Sequence, residues 1–307
     1  MKKKFPMVFV GCFFIAKLEK RKRCFEILTF ARKFKSMMTP LLNLPRPAIM
    51  GILNVTPDSF SDGGKYNSVD TALAHTEEML EQGADLIDLG GCSTRPNNAI
   101  ATEDEELQRV IPVLQALKKH FPKVFISIDT FRKNVAQACM EEGAGIINDI
   151  SGGLFDPDML PYIGENHIPY IMMHCVGTPD TMHQYALDGD IHQTVMDFFQ
   201  RQCAVLEAYG PQQIVLDPGI GFGKSLQANY ALLSNLDRYR CHHYPILIGV
   251  SRKSLIRKLL GAEADVENCT TILNTIALLH GADILRVHDV KKAVELKKTC
   301  NFAPGLS

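Results

Sequence analysis

The side chains able to do chemistry fall in eight short clusters, each following an apolar run. In order they are Asn54; Asp88 with Ser93-Thr94-Arg95-Pro96; Asp129-Thr130; Asn148-Asp149; Met173-His174; Asp217-Pro218-Gly219; Ser251-Arg252-Lys253-Ser254; and Arg286-Val287-His288-Asp289. Asp129, Asn148 and Asp217 supply acceptors and one amide. Buried carboxylates are costly unless something donates to them, and a ligand edge rich in N–H groups meets that need. Lys253 can donate to a ligand carbonyl or ring nitrogen and offset the carboxylates. A second set is cationic or hydroxylic: Thr94, Arg95, Arg286 and His288, with Asn54 nearby. Such donors suit a phosphate or diphosphate. The amide oxygen of Asn54 can complete a Mg2+ shell otherwise made of phosphate oxygens and water. Singly, each aspartate has the alternatives of an internal salt bridge or a helix N-cap, and His288 that of a structural histidine. Eight polar exits converging on one rim are not explained by capping.

The elements that must position these clusters are legible as apolar runs at 48–53, 85–89, 124–128, 145–148, 169–173, 213–217, 246–250 and 284–287. Between them lie amphipathic stretches of helical period at 69–82, 103–119, 131–142, 191–208, 227–236, 266–279 and 289–299, with a shorter helix expected to start at Asp156-Pro157. Continuous apolar strands alternating with helices imply a parallel sheet. Eight units over Met50–Cys300 match the roughly 250 residues of a closed barrel. The fold class expected is α/β, a single-domain (β/α)8 TIM barrel over 46–307. A doubly wound sheet is the second choice. In a barrel every strand exit points to the same face, where such folds carry their active sites.

Overall the chain is near neutral, at -1, but the charge is unevenly spread. Residues 1–36 hold eleven Lys/Arg against two Asp/Glu, leaving 22 against 32 in the remainder. An acidic body argues against nonspecific nucleic-acid binding. The apolar run Phe5–Ala16, flanked by basic residues, falls well short of the roughly 20 residues of a membrane-spanning helix. It lacks the cleavage site of a signal peptide and the serines of a transit peptide. The favoured reading is an N-terminal extension, 1–45, outside the main fold, with translation starting at Met37 or Met38; a peripheral membrane anchor is the alternative. Nine scattered cysteines without a CxxC pair fit reduced thiols in the cytoplasm.

Gly219–Ser225 is neither a Walker A loop nor GxGxxG. It reads instead as a flexible loop bringing Phe222 over the barrel mouth. Ser251–Ser254 reads as a helix start able to cap and to present N–H groups to a carboxylate. Cys92 and Cys175 lack an activating partner in the sequence and read as packing.

Together the motifs resemble one family, the dihydropteroate synthases of folate biosynthesis. The match spans about Ala48 to Val290 and comprises GILNVTPDSFSDGG (51–64), GGCSTRP (90–96), SIDT (127–130), IINDISGG (146–153), DPGIGFGK (217–224), SRKS (251–254) and RVHDV (286–290). The resemblance implies an enzyme, a transferase, condensing 6-hydroxymethyl-7,8-dihydropterin diphosphate with p-aminobenzoate to give 7,8-dihydropteroate and diphosphate. It implies that Asp129, Asn148, Met173, Asp217 and Lys253 hold the pterin. Asn54, Thr94, Arg286 and His288 would hold the diphosphate, Asn54 together with Mg2+. Phe60, Arg95, Pro96, Phe222 and Ser254 would form the p-aminobenzoate pocket, where sulfonamides bind in the family. The catalytic set implied is Asp129, Asp217, Lys253, Arg286 and His288, acting by dissociative loss of diphosphate and arylamine attack. A homodimer is also implied. The chain departs from the family at Cys92, where an acidic residue is usual, at Asn97-Asn98 after Pro96, at Cys175 and at Ile220. These departures bear on loop geometry and p-aminobenzoate affinity. A methyltetrahydrofolate-dependent methyltransferase would share the pterin carboxylates but has no need of Arg286 and His288. A non-catalytic pterin-binding paralogue would have lost Asn54, Lys253 or Arg286.

Overall fold

The computed structural model describes residues 44–56, 65–93, 100–210 and 212–302; most of the expected N-terminal extension lies outside them. Eight parallel strands form one sheet: β1 (Ala48–Asn54), β2 (Leu86–Gly90), β3 (Ile126–Asp129), β4 (Ile146–Asp149), β5 (Tyr170–Met173), β6 (Ile214–Asp217), β7 (Leu247–Ile248) and β8 (Ile284–Val287). The order β6-β5-β4-β3-β2-β1-β8-β7 sets β1 between β2 and β8. A parallel bridge from Leu216 to Ile246 joins the two ends, and the sheet closes as a (β/α)8 barrel. The ladder at β7 is shorter than the expected 246–250. Ile246 is joined to Leu216 by an isolated bridge, and Gly249 and Val250 lie past the paired segment although Val250 is fully buried.

Parity along the strands decides what faces the interior. Ile87, Leu89, Ile126, Ile128, Ile147, Tyr170, Met172, Ile214, Leu216, Leu285 and Val287 pack into the cluster shared with the helices. The alternate residues Met50, Leu86, Ile146, Ile171, Val215 and Ile284 are equally buried outside that cluster and fill the barrel. The same parity, continued one step to the strand ends, turns Asn54, Asp129, Asn148, Met173, Asp217 and Arg286 inward at the C-terminal face.

Outside lie α1 (Lys65–Glu81), α2 (Glu103–His120), α3 (Lys133–Glu141), α4 (Met159–Asn166), α5 (Ile191–Glu207), α6 (Leu226–Leu233), α7 (Leu255–Leu260), α8 (Val266–Leu279) and α9 (Val290–Phe302). Sequence-encoded caps start several of them: Thr102 with Glu105 forms a capping box on α2, while Asp190, Ser225 and Asp265 cap α5, α6 and α8. The helix expected over 227–236 stops at Leu233, and a 3-10 segment Leu236–His242 follows. Between them the Asn235 side chain takes the Ala231 carbonyl at 2.9 Å, a local bond that competes with continued helix.

Candidate active site

At the C-terminal ends of the strands opens a cavity of about 410 Å³, large enough for a small organic ligand. Asn54, Asp129, Asn148, Met173, Asp217, Phe222, Lys253, Ser254, Arg286 and His288 all line it. The fold therefore brings together ten of the residues singled out in the sequence. The other four, Phe60, Thr94, Arg95 and Pro96, lie outside the described residues.

One wall is a chain of charge. Arg286 donates from Nε to Asp88 Oδ2 at 2.6 Å and from a terminal nitrogen to Asp129 Oδ2 at 2.7 Å. Asn148 donates from Nδ2 to the same Asp88 oxygen at 3.0 Å. Burial works against the Arg286 charge, but Asp88 and Asp129 hold it above its usual range. Burial pushes Asp129 above the usual carboxylate range, opposed by Arg286 and reinforced by Asp88. The two sets read separately in the sequence are thus joined: the arginine of the anion set touches the carboxylate of the acceptor set.

The opposite wall is built by β6, β7 and the glycine loop. Asp217 accepts from Gly219 N at 2.7 Å, and burial raises its pKa against the pull of Lys253. Lys253 donates to the Ile220 carbonyl and sits 4.1 Å over the Phe222 ring. Burial lowers it to about 8. Phe222 joins Ile150, Met173, Cys175 and Met182 in an apolar cluster beside the polar floor. His288 Nδ1 lies 2.9 Å from Ser251 Oγ, which fixes its ring at the rim.

Two expectations need correction. The glycine loop was expected to be flexible, yet it is anchored. Lys224, buried, donates to the carbonyls of His174 at 3.0 Å, Gly219 at 2.8 Å and Phe222 at 3.1 Å. Asn229 accepts from Gly221 N at 2.5 Å. Burial lowers Lys224 to about 7, and its amine, set among three acceptors, pins the turn that the glycines permit, with Gly219, Gly221 and Gly223 all at positive φ. Ser254 precedes α7 but its side chain makes no cap bond, because its backbone is already helical. Ser254 lines the cavity instead.

The thiols pack. Burial pushes Cys175 up to about 12, and burial with the nearby Glu106 raises Cys92, so neither is an activated nucleophile. His174 does not line the cavity; it packs edge-on to Phe198 at 5.1 Å, and burial lowers it to about 3.

Asp88 and Lys224 were assigned no role from the sequence. A lone carboxylate inside the apolar run Leu86–Gly90 was the available signal for the first. For the second, no local pattern says that its amine folds back on its own loop.

A model of the pterin binding enzymes matches residues 50–288. Over 260 residues the chain is 42% identical to a dihydropteroate synthase of Synechocystis, covering 83% of this chain and 90% of that protein. Its identity to the Escherichia coli dihydropteroate synthase is 44% over 257 residues, with the same coverage. This chain belongs to the dihydropteroate synthase family. Solved dihydropteroate synthases share its fold. The Yersinia pestis enzyme in a sulfonamide complex is 41% identical with a TM-score of 0.76, over 84% of this chain and 95% of that one. The Xanthomonas albilineans enzyme in complex with 7,8-dihydropteroate is 36% identical with a TM-score of 0.74, over 85% and 94%.

Proposed function

We infer that this chain condenses 6-hydroxymethyl-7,8-dihydropterin diphosphate with p-aminobenzoate, releasing diphosphate and 7,8-dihydropteroate. The observation that carries the reading is one cavity holding both halves of the required chemistry. Asp129, Asn148, Asp217 and Lys253 suit an N–H-rich heterocycle, and Arg286 with His288 suits an anionic leaving group. Met173 packs on the pterin. Asp129 and Asp217 accept from its amino and ring N–H groups, Asn148 reads the same edge, and Lys253 donates to its carbonyl or ring nitrogen. Phe222 and Ser254, with Phe60, Arg95 and Pro96, form the p-aminobenzoate pocket and the place a sulfonamide would take. Asn54, Thr94, Arg286 and His288 hold the diphosphate.

The reaction is dissociative. Arg286 and His288 stabilise charge on the departing diphosphate, while the dihydropterin spreads positive charge from its methylene carbon. Asp129 and Asp217 place negative field around that cation. The arylamine of p-aminobenzoate attacks, and its proton leaves last, so no strong general base is needed.

The donor set fits Mg2+ bound mainly by substrate. No group of three His, Cys, Asp or Glu among the described residues could hold a metal alone, and Asn54 offers one hard neutral oxygen to the cavity. Asn54 would hold the ion together with diphosphate oxygens and water. Bound there, Mg2+ would supply further positive charge to the leaving group.

The same reading extends to a homodimer in the cytoplasm. Ile272 and Leu279 sit two turns apart on α8, and with Leu259 and Leu260 of α7 they leave apolar side chains half exposed, the kind of face a second copy covers. Cys92, Cys139, Cys175, Cys203, Cys269 and Cys300 are free thiols, which suits a reducing compartment. No helix among the described residues is long and apolar enough to cross a membrane.

A coupled assay of diphosphate release tests the function. With the full chain, dihydropterin diphosphate and Mg2+, release should depend on p-aminobenzoate and yield dihydropteroate. A folded chain that binds the pterin without turnover would instead be a non-catalytic paralogue.

A further inference from the structure

Asp88 lies in β2, wholly buried, and does not line the cavity. Its Oδ2 nonetheless accepts from two residues that do: Arg286 Nε at 2.6 Å and Asn148 Nδ2 at 3.0 Å. We infer that Asp88 is a positioning residue shared by both halves of the site, fixing the Asn148 amide and the Arg286 guanidinium through one carboxylate oxygen.

For Asn148 the consequence is a choice of face. The two ends of a carboxamide are nearly isosteric, so an unrestrained amide can present either an oxygen or an N–H to a ligand. An ionised carboxylate only accepts. Asp88 therefore claims an N–H, and the Asn148 carbonyl oxygen is left for a ligand that donates. A heterocycle edge with N–H groups is selected over one presenting only acceptors.

For Arg286 the consequence is a division of its donors. Of the five N–H groups of a guanidinium, one goes to Asp88 and one to Asp129, which leaves three for an anion. Without Asp88, the nearest carboxylate is Asp129, and the favoured geometry is a two-pronged pair. That collapse would occupy both Asp129 oxygens and turn the guanidinium away from the leaving group. By taking the Nε edge, Asp88 keeps one Asp129 oxygen for the heterocycle and holds the remaining donors in place. Recognition of the heterocycle and of the departing anion thus share one anchor.

The test uses the full chain carrying Asp88→Asn, which preserves shape and removes the charge. The inference rests on the proposed reaction, so binding is measured apart from turnover, with 6-hydroxymethyl-7,8-dihydropterin and inorganic diphosphate as separate probes. Both dissociation constants should rise by about 10-fold, the scale of one charge-assisted hydrogen bond. The KM for p-aminobenzoate should stay within about threefold, since the hydrogen bonds Asp88 makes among the described residues go to Arg286 and Asn148 and to neither Phe222 nor Ser254. Adding Asn148→Ala should raise the dihydropterin constant by less than about twofold more, because coupled residues are not additive. Unchanged dissociation constants with a lower kcat would mean loss of active protein only and would overturn the inference. A p-aminobenzoate KM rising as steeply as the other constants would do the same. If Asp88→Asn does not fold, the wild-type chain decides. Its Arg286 Nε–H, assigned by its absence in Arg286→Lys, should be protected from solvent exchange without ligand, and rapid exchange overturns the inference. If wild-type protein binds both probes without turnover, the proposed reaction fails while the two constants still decide the role of Asp88.

Discussion

Replacing Lys224 by Met should destabilise the protein and weaken p-aminobenzoate binding together. The buried ammonium donates to three carbonyls, of His174, Gly219 and Phe222. Met fills much the same volume but leaves those oxygens without this donor. At ~1 kcal/mol per lost bond the cost is ~3 kcal/mol, partly offset because an ammonium no longer has to be desolvated. A net loss of ~2 kcal/mol lowers the melting temperature by roughly 5 °C in a domain of this size. The same bonds hold the turn that carries Phe222, the apolar wall beside Lys253 and Met173. With the turn loosened, the KM for p-aminobenzoate should rise by about 10-fold, the worth of one or two kcal/mol of positioning. Thermal melts give the first quantity. Initial rates of diphosphate release against p-aminobenzoate, at saturating dihydropterin diphosphate, give the second. A melting point lowered as expected with KM unchanged would show that the anchored turn does not shape the p-aminobenzoate wall. An unchanged melting point would show that the three bonds contribute nothing net.

Gly219→Ala should be worse. Gly219 has φ +70°, and a Cβ there would stand 1.9 Å from the His174 carbonyl oxygen, so backbone must move. A loss of ~3 kcal/mol or more is expected, read as a larger drop in melting point than for Lys224→Met; a wild-type melt refutes it. Burial sets Lys253 at about 8 against 10.5 for a free lysine. The folded chain therefore binds fewer protons than the unfolded one between those values, so this group's contribution to stability rises with pH across that window. Its function as a donor runs the other way. Affinity for the dihydropterin should fall as pH passes about 8, and Lys253→Arg, which keeps its charge, should lose that alkaline limb at lower overall affinity. Persistence of the limb in Lys253→Arg would assign it to another group.

Much of the site was visible in the chain because strand parity is a local property. Asp129, Asn148, Met173 and Asp217 each end an apolar run, Arg286 stands one residue before the end of its own, and a parallel barrel aims every such end at one face. Phe222 and Ser254 followed from their nearness to such ends. The β7 ladder was overread because apolar content signals burial and does not by itself signal pairing. The mobility assigned to the glycine loop was wrong for a different reason. Glycines announce that the backbone can turn, but whether the turn is held depends on partners, and Lys224 was the partner.

By itself the sequence determined the eight-fold alternation, the family, and which side chains stand at the strand ends, since these follow from local hydrophobic period and ordered motifs. Only the tertiary structure decided how those side chains are wired. Asp88 and Arg286 are 198 residues apart, and Arg286 and Asp129 are 157 apart. Such pairings arise from barrel closure, which sets β8 beside β1 and turns the side chains of β2, β3 and β8 into one interior. No local pattern encodes which carboxylate a guanidinium will reach; that is fixed by distance and direction once the barrel has closed.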